Sequence, residues 1–340
     1  MVRVAVDLLG GDHAPGSVVD GAILAADEQP GAEVVLVGPP EVAARLLDER
    51  GAAGRFEVFA ASQVVGMDEE PARAIRTKRD ATVRVAARLV RDGVADAMVS
   101  VGSTGAAMAA ALFTLGRLPG VSRPALAVVI PARAGPLVFL DAGASVDATA
   151  DLLAQYALAG VALAQVRLGI VRPRVGLLTI GEEAGKGDVL RKQADLLLRG
   201  LPVDYVGSVE GGDVPHGGVA DVVVTDGFTG NVLAKGLEGA ASMLDEALRE
   251  AFAATPERRG AARELLPALA EVTGHLSPDV FGGGFLLGVK GVCVVGHGAS
   301  SPRAVASCLG VAAQAAREGL VPRIGEALGE LVRGRASVAP

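Results

Sequence analysis

Two short runs constrain the fold more than any other feature of the chain. "DVVVTDG" (residues 221–227) and "VCVVGHG" (residues 292–298) are apolar without alternation and then stop at glycine. A strand with one wet face alternates polar and apolar residues, whereas a strand covered on both faces reads as a continuous apolar run. Similar runs predict strands at 3–7, 33–37, 56–59, 96–101, 126–130, 137–140, 174–180, 204–209, 221–225 and 287–295. Helical patterns fall between them, at 18–28, 41–50, 81–91, 105–115, 147–168, 187–198, 230–253 and 303–317. Strand and helix in alternation predict an α/β fold of three α/β/α layers around a mostly parallel sheet.

The chain has 340 residues, half of them apolar, which is enough for one large core spanning residues 1–335. The net charge of −7 does not favour nucleic acid as a partner. The two cysteines, Cys293 and Cys308, form no metal spacing and no disulfide framework, which suits a reducing cytoplasmic compartment. Asp7 and Asp12 interrupt the N-terminus, so it does not read as a signal peptide. The stretch 152–171 is the most membrane-like, yet Gln155, Gln165 and Arg167 make it a buried core helix instead. Residues 251–284 depart from the α/β pattern. Three prolines, the arginines Arg258, Arg259 and Arg263, and the apolar Leu265, Leu266, Leu269 and Val272 predict a helical hairpin or lid there.

Ligands of open α/β sheets bind beyond the carboxyl ends of the strands. Seven such ends here carry glycine beside polar residues, at 7–16, 100–105, 141–147, 180–187, 208–213, 225–231 and 296–300. A helix starting at such a joint presents free N–H donors and a positive dipole end to an anion. Ser103, Thr104 and Thr229 would add hydroxyls, although turn-making and helix capping use the same residue types. The joints match neither GxxxxGK[ST] nor GxGxxG, and GxSxG is missing, so neither a nucleotide nor an acyl-serine is indicated. Four scattered histidines without HxxxH or CxxC argue against a metal. Lys186 stands between glycines as a point charge for phosphate or as an ordinary loop lysine. His13 and His297 suit general acid–base work or backbone bonding, and Asp7 suits a site acid or a loop brace. Arg76, Lys78 and Arg79 form the densest basic cluster, fit for an acidic partner or for plain solvation.

Taken together, "DLLGGDHAP" (7–15), "VSVGSTGAAM" (99–108), "LDAGA" (140–144), "GLLTIGEEAGKG" (176–187), "DVVVTDGFTGNVLAKGLEG" (221–239) and "LLGVKGVCVVGHGASSPRA" (286–304) resemble the phosphate acyltransferases of bacterial phospholipid synthesis, in order along the whole chain. The resemblance implies a fold similar to phosphotransacetylases and to isocitrate and isopropylmalate dehydrogenases. It implies reversible transfer of a long-chain acyl group from acyl carrier protein to inorganic phosphate, for phosphatidic acid synthesis, without metal or cofactor. It also implies a homodimer in the cytoplasm, peripherally associated with the membrane, whose acyl phosphate a membrane acyltransferase consumes. Leu8–Leu9 and Gly284–Phe285 depart from the family's usual residues and bear on the acyl pocket, as does Lys290.

Phosphate is then expected on Gly102, Ser103, Thr104 and Gly105, with Asp7, His13, Thr229 and Ser300 lining the substrate site. Lys186, Asn231 and His297 are the expected catalytic groups. Arg76, Lys78 and Arg79 are the expected carrier-protein dock, and Leu265, Leu266 and Leu269 the membrane contact, with a dimer interface as the other reading of that helix. A phosphotransacetylase-like enzyme acting on acyl-CoA and a non-catalytic carrier-binding scaffold are the competing functions.

Overall fold

The computed structural model describes residues 1–181, 183, 185–276 and 282–336, and the side chains within these except those of 266, 269–276 and 332–336. Its strands are β1 (Val2–Asp7), β2 (Ala32–Gly38), β3 (Glu57–Ala60), β4 (Ala97–Ser100), β5 (Ala125–Ile130), β6 (Leu137–Leu140), β7 (Arg174–Thr179), β8 (Asp204–Glu210), β9 (Val222–Val224), β10 (Gly284–Leu287) and β11 (Val292–Val295). The helices are α1 (Gly16–Glu28), α2 (Pro40–Glu49), α3 (Pro71–Thr77), α4 (Thr82–Arg91), α5 (Thr104–Thr114), α6 (Ala150–Leu168), α7 (Val189–Leu198), α8 (Asp213–His216), α9 (Gly227–Ala253), α10 (Pro256–Leu276), α11 (Pro302–Arg317) and α12 (Leu320–Ala336).

All eleven strands form one sheet, in the order β3-β2-β1-β4-β11-β10-β5-β6-β9-β7-β8. Seven of its ten strand pairs are parallel, as the sequence predicts. The three antiparallel pairs, β11·β10, β10·β5 and β5·β6, are consecutive and odd in number. The block β3-β2-β1-β4-β11 therefore runs one way and the block β6-β9-β7-β8 runs the other.

Alternate residues of each strand face opposite layers. Val4 and Val6 of β1 enter one core with α1, α6, α11 and α12, while Ala5 enters another with α3, α4 and α5. Val223 and Phe139 meet the start of α9 in a third cluster. Both faces are covered, which is why the strand runs show no polar alternation. The stretch 152–171 is indeed a core helix: fourteen of the nineteen residues of α6 are buried. Among the described residues no helix is long and apolar enough to cross a membrane.

The predicted strand 287–295 is two antiparallel strands, β10 and β11, because the chain turns at Gly288 (φ +96°). Helix α3 escapes the hydrophobic pattern but carries a readable start. Pro71 occupies its first turn, and Glu70 accepts from the N–H groups of Ala72 and Arg73. Of the unusual segment 251–284, residues 251–276 complete a longer α9–α10 hairpin whose described side chains are mostly exposed, and residues 277–281 lie outside the described residues. Arg258 and Arg259 cap the end of α9, donating to Ala251 O at 3.4 Å and Ala253 O at 2.6 Å.

Helices α1 and α11 pack closely at Gly21, where an added Cβ would stand 2.5 Å from Val305 Cβ and 2.8 Å from Pro302 O. Gly21→Ala is expected to destabilise the fold by about 1–3 kcal/mol through overpacking. Gly325→Ala in α12, with nothing within 4 Å of the new methyl, is expected to stabilise it by about 0.4–1 kcal/mol. Urea midpoints of the two variants check both signs.

Candidate active site

The glycine joints gather into two sets, because the two strand blocks end at opposite ends of the sheet. The first set follows β1, β4 and β11, which are neighbours in the sheet. Its loops interlock through the backbone: Asp12 N–H donates to Gly298 O at 2.8 Å. Side chains on Gly10, Gly11 or Gly102 would collide with the facing joints, since a Cβ on Gly10 lies 3.0 Å from Gly102 N and one on Gly102 lies 3.1 Å from Gly10 Cα. Met67, more than half exposed, rests its methyl over Gly298, and Pro71 of α3 abuts Gly105.

Asp7 ends β1 and is buried under this set. Ser100 Oγ–H donates to Asp7 Oδ2 at 2.7 Å, and the same Ser100 Oγ accepts the N–H of Gly102 at 3.2 Å. The other carboxyl oxygen, Oδ1, is buried and finds no partner among the described residues. Burial pushes the Asp7 carboxyl above the usual carboxylate range, against the pull of hydrogen bonds from Thr82 and Ser100.

Of the expected phosphate ligands, Gly102, Ser103, Thr104 and Gly105 do sit at the start of a helix, α5, beside Asp7. Their roles separate, however. The N–H of Gly102 is turned inward to Ser100. Ser103 is the N-cap of α5, its Oγ accepting from Ala106 N–H at 3.4 Å. The first-turn N–H groups of Thr104 and Gly105 and the hydroxyl of Thr104 remain for an anion. Ser300 turns its hydroxyl to His297 O at 2.6 Å and is a brace for its own turn. His297 is exposed, and its Nδ1 accepts from Ala299 N–H at 3.2 Å, which leaves Nε2 to carry the ring proton outward. His13 is exposed at the β1 joint.

The second set follows β6, β9 and β7. Asp141 is fully buried and accepts four backbone N–H bonds, from Leu126 and Gly143 at 3.0 Å, Ala144 at 2.8 Å and Ser145 at 2.7 Å. Burial pushes its carboxyl up and those four donors pull it back. The resulting loop lies against the start of α9 so closely that a Cβ on Gly230 would stand 1.9 Å from Asp141 O. Asn231 packs its side chain on Gly143, its Oδ1 3.3 Å from where a Cβ would be. Thr229 Oγ1–H donates to Asp226 Oδ2 at 2.8 Å, so this hydroxyl braces the helix cap. Lys186 is half exposed and pairs loosely with Glu183 at 3.8 Å. Lys186, Thr229 and Asn231 thus belong to one set, and Asp7, His13, Gly102–Gly105, His297 and Ser300 to the other. The seven joints do not meet at one place, and the joint at 208–213, after β8, leaves the same edge as that of β7.

Lys78 is engaged within its own segment. Its ammonium pairs with Glu69 and donates to Val64 O at 2.8 Å, which fixes the loop carrying Met67. Arg76 and Arg79 stay exposed, and Arg76 lies 4.9 Å over the ring of Phe113, itself half exposed on α5. Leu265 is about half exposed on α10, while the side chains of Leu266 and Leu269 lie outside the described residues. Sequence reasoning missed Ser100, Thr82 and Arg191. Arg191 has a nearly buried guanidinium, and nothing in "GDVLRKQ" marks it as interior. Among the described residues no cluster of acidic, histidine and cysteine side chains has the makings of a metal site.

Residues 2–323 match the sequence model of a family described as "Fatty acid synthesis protein". The chain belongs to that family. It is 44% identical over 324 residues to the "Phosphate acyltransferase" of Desulfitobacterium hafniense (strain Y51), covering 95% of this chain and 96% of the relative. The "Phosphate acyltransferase" of Myxococcus xanthus (strain DK1622) is 46% identical over 336 residues, covering 96% and 94%. Among solved structures, a phosphotransacetylase from Streptococcus pyogenes superposes with a TM-score of 0.61 over 93% of this chain and 94% of that one, at 19% identity. The expected likeness to phosphotransacetylases therefore holds for the fold.

The state of Asp7 has a measurable consequence. Its folded carboxyl holds a proton more tightly than the usual unfolded value of about 3.9, so the group favours the folded state at low pH. That contribution is lost as pH rises from the unfolded value through the folded one. Asp7→Asn removes the loss. The variant's stability in urea, relative to the natural chain, is expected to improve between pH 4 and neutrality; a constant difference across that range is the contrary result.

Proposed function

We propose that this chain is a phosphate acyltransferase that moves a long-chain acyl group from acyl carrier protein to inorganic phosphate. The observation that carries this reading is its 44–46% identity, over at least 94% of both chains, to relatives named phosphate acyltransferase. The reading of α5 as the phosphate seat has this support. The start of α5 offers Thr104 and Gly105 N–H groups and the Thr104 hydroxyl, backed by the positive end of the helix dipole.

A phosphate oxygen attacks the thioester carbonyl carbon, the carbon–sulfur bond breaks, and the carrier leaves as a thiolate that takes up one proton. Phosphate is anionic at neutral pH, so the protein's task is to aim it rather than to activate it. His297 Nε2–H, on the neighbouring joint, can donate a hydrogen bond to the departing sulfur, which takes its proton from the attacking hydrogen phosphate. Lys186 and Asn231 stand on the other set of joints, so the charge at this seat falls to the α5 N–H groups and the Thr104 hydroxyl. Ser300, whose hydroxyl is engaged within its own turn, holds the turn of His297 in place.

The remaining features fit the biology that the resemblance implies. Arg76 over Phe113 on α5, with exposed Arg79 three residues on, presents a basic and apolar surface suited to an acidic carrier that delivers an acyl arm. Val232, Met243 and Leu244 of α9 and Leu265 of α10 are largely exposed, an apolar surface that a homodimer partner and the membrane surface share between them. Peripheral attachment on the cytoplasmic side would hand the labile acyl phosphate to a membrane acyltransferase.

Purified protein with palmitoyl-acyl carrier protein is expected to release free carrier thiol only when phosphate is present, with acyl phosphate formed in equal amount and no acylated protein along the way. Turnover without phosphate, or stronger turnover with palmitoyl-CoA than with the carrier, overturns the reading. Thr104→Val removes one hydrogen bond to a charged ligand, worth about 1.5–3 kcal/mol. The KM for phosphate should rise about 10–100-fold, while that for the acyl carrier stays unchanged.

A further inference from the structure

The segment from Met67 to Pro71 spans two joints of the first set, those after β4 and β11. At one end the Met67 methyl lies over Gly298, where an added Cβ would stand 2.8 Å from Met67 Cε. At the other end Pro71 lies against Gly105, with its Cγ 2.7 Å from where a Cβ would be. The two joints meet at Gly11, since a Cβ there would stand 3.0 Å from Val101 O and 3.2 Å from Gly298 O. Met67 thus reaches the residue next to His297, and Pro71 reaches a residue whose N–H is offered to phosphate.

Met67 is 58% exposed, and Val64 on the same loop is 44% exposed. Ordering an exposed methionine costs side-chain entropy, but the backbone that carries this one is already fixed. Asp80 accepts the Ser62 N–H and the Ser62 hydroxyl, both at 2.7 Å. Gln63 O accepts the Thr82 N–H at 2.9 Å. Lys78 donates to Val64 O at 2.8 Å and pairs with Glu69, whose Oε1 also accepts the Gly66 N–H at 2.7 Å. The loop 62–70 is therefore tied to the stretch 78–82, and its tip presents an unbranched apolar side chain to the joints.

Attack brings a phosphate oxygen within about 3–3.5 Å of the thioester carbon. With phosphate on Thr104 and Gly105, the first carbons of the alkyl chain must pass beside these joints. Met67 is an apolar side chain already in contact with that edge, and a flexible thioether adapts its shape to a methylene chain. We propose that Met67 is a specificity-determining residue that packs on the alkyl chain of the acyl thioester next to the reacting carbon. This assignment rests on the reading of α5 as the phosphate seat.

In Met67→Ala, kcat/KM for palmitoyl-acyl carrier protein is expected to fall about 4–15-fold relative to that for acetyl-acyl carrier protein, the worth of one to two methylene contacts. The KM for phosphate and the urea midpoint should stay close to those of the natural chain. Met67→Leu, which keeps volume and apolarity, should restore the ratio. An unchanged palmitoyl-to-acetyl ratio in Met67→Ala, or a Met67→Leu variant no better than Met67→Ala, overturns the role of Met67. Thr104→Val separates the two levels of inference. If it raises the KM for phosphate while Met67→Ala leaves the ratio unchanged, only the role of Met67 fails. If it leaves the KM for phosphate unchanged, the seat itself fails.

Discussion

The reversal of strand direction across β10, β5 and β6 is the constraint on which the rest of this molecule depends. A uniformly parallel sheet would bring every strand-end joint to one edge. Three antiparallel pairs in succession send the second block the other way. The joints after β1, β4 and β11 therefore form one cluster, and those after β6, β9 and β7 another. The same reversal decides where α9 emerges, since that helix starts on the second cluster and carries the exposed α9–α10 hairpin away from it.

Within each cluster, the demand that buried polar groups be paired settles which residues remain for chemistry. Ser100 takes the N–H of Gly102, Ser103 caps α5, Thr229 donates to Asp226, and Ser300 donates to His297 O. Each of these residue types suits an anion site when read in isolation. Packed, most of them stabilise the turns, and the donors left over are fewer and more sharply placed: two N–H groups and a hydroxyl at α5, the His297 ring, the Asn231 amide and the Lys186 ammonium. The carboxylates Asp7, Asp141 and Asp226 follow the same rule. They sit at strand ends because the peptide groups of the following turn need acceptors there.

Legibility of the fold tracks the range of the interaction that decides each part. The continuous valine runs of β9 and β11 identify strands covered on both faces, because hydrophobic burial acts residue by residue. The break between β10 and β11 was hidden because a glycine turn between two apolar segments looks like one longer segment. Helix α3 is short and half exposed, so its signal lies in Pro71 and Glu70 rather than in periodicity. The basic cluster divides for a reason that spacing cannot show: Lys78 meets Glu69 across a loop, while Arg76 finds Phe113 on a different helix. Arg191 is the clearest case, as its partners Thr225, Asp226 and Thr229 lie more than thirty positions away in the chain.

By itself, the amino-acid sequence determined the layers, most strands and helices, the strand-end positions of the candidate residues and, through its ordered motifs, the family. All of these depend on local propensity, on burial pattern or on residue identity, which are properties of short stretches. Only the tertiary structure decided which joints face one another, which hydroxyls are already engaged and which arginine is interior. Those outcomes depend on strand order and on contacts between segments distant in sequence, and a linear pattern holds no record of the geometry that brings them together.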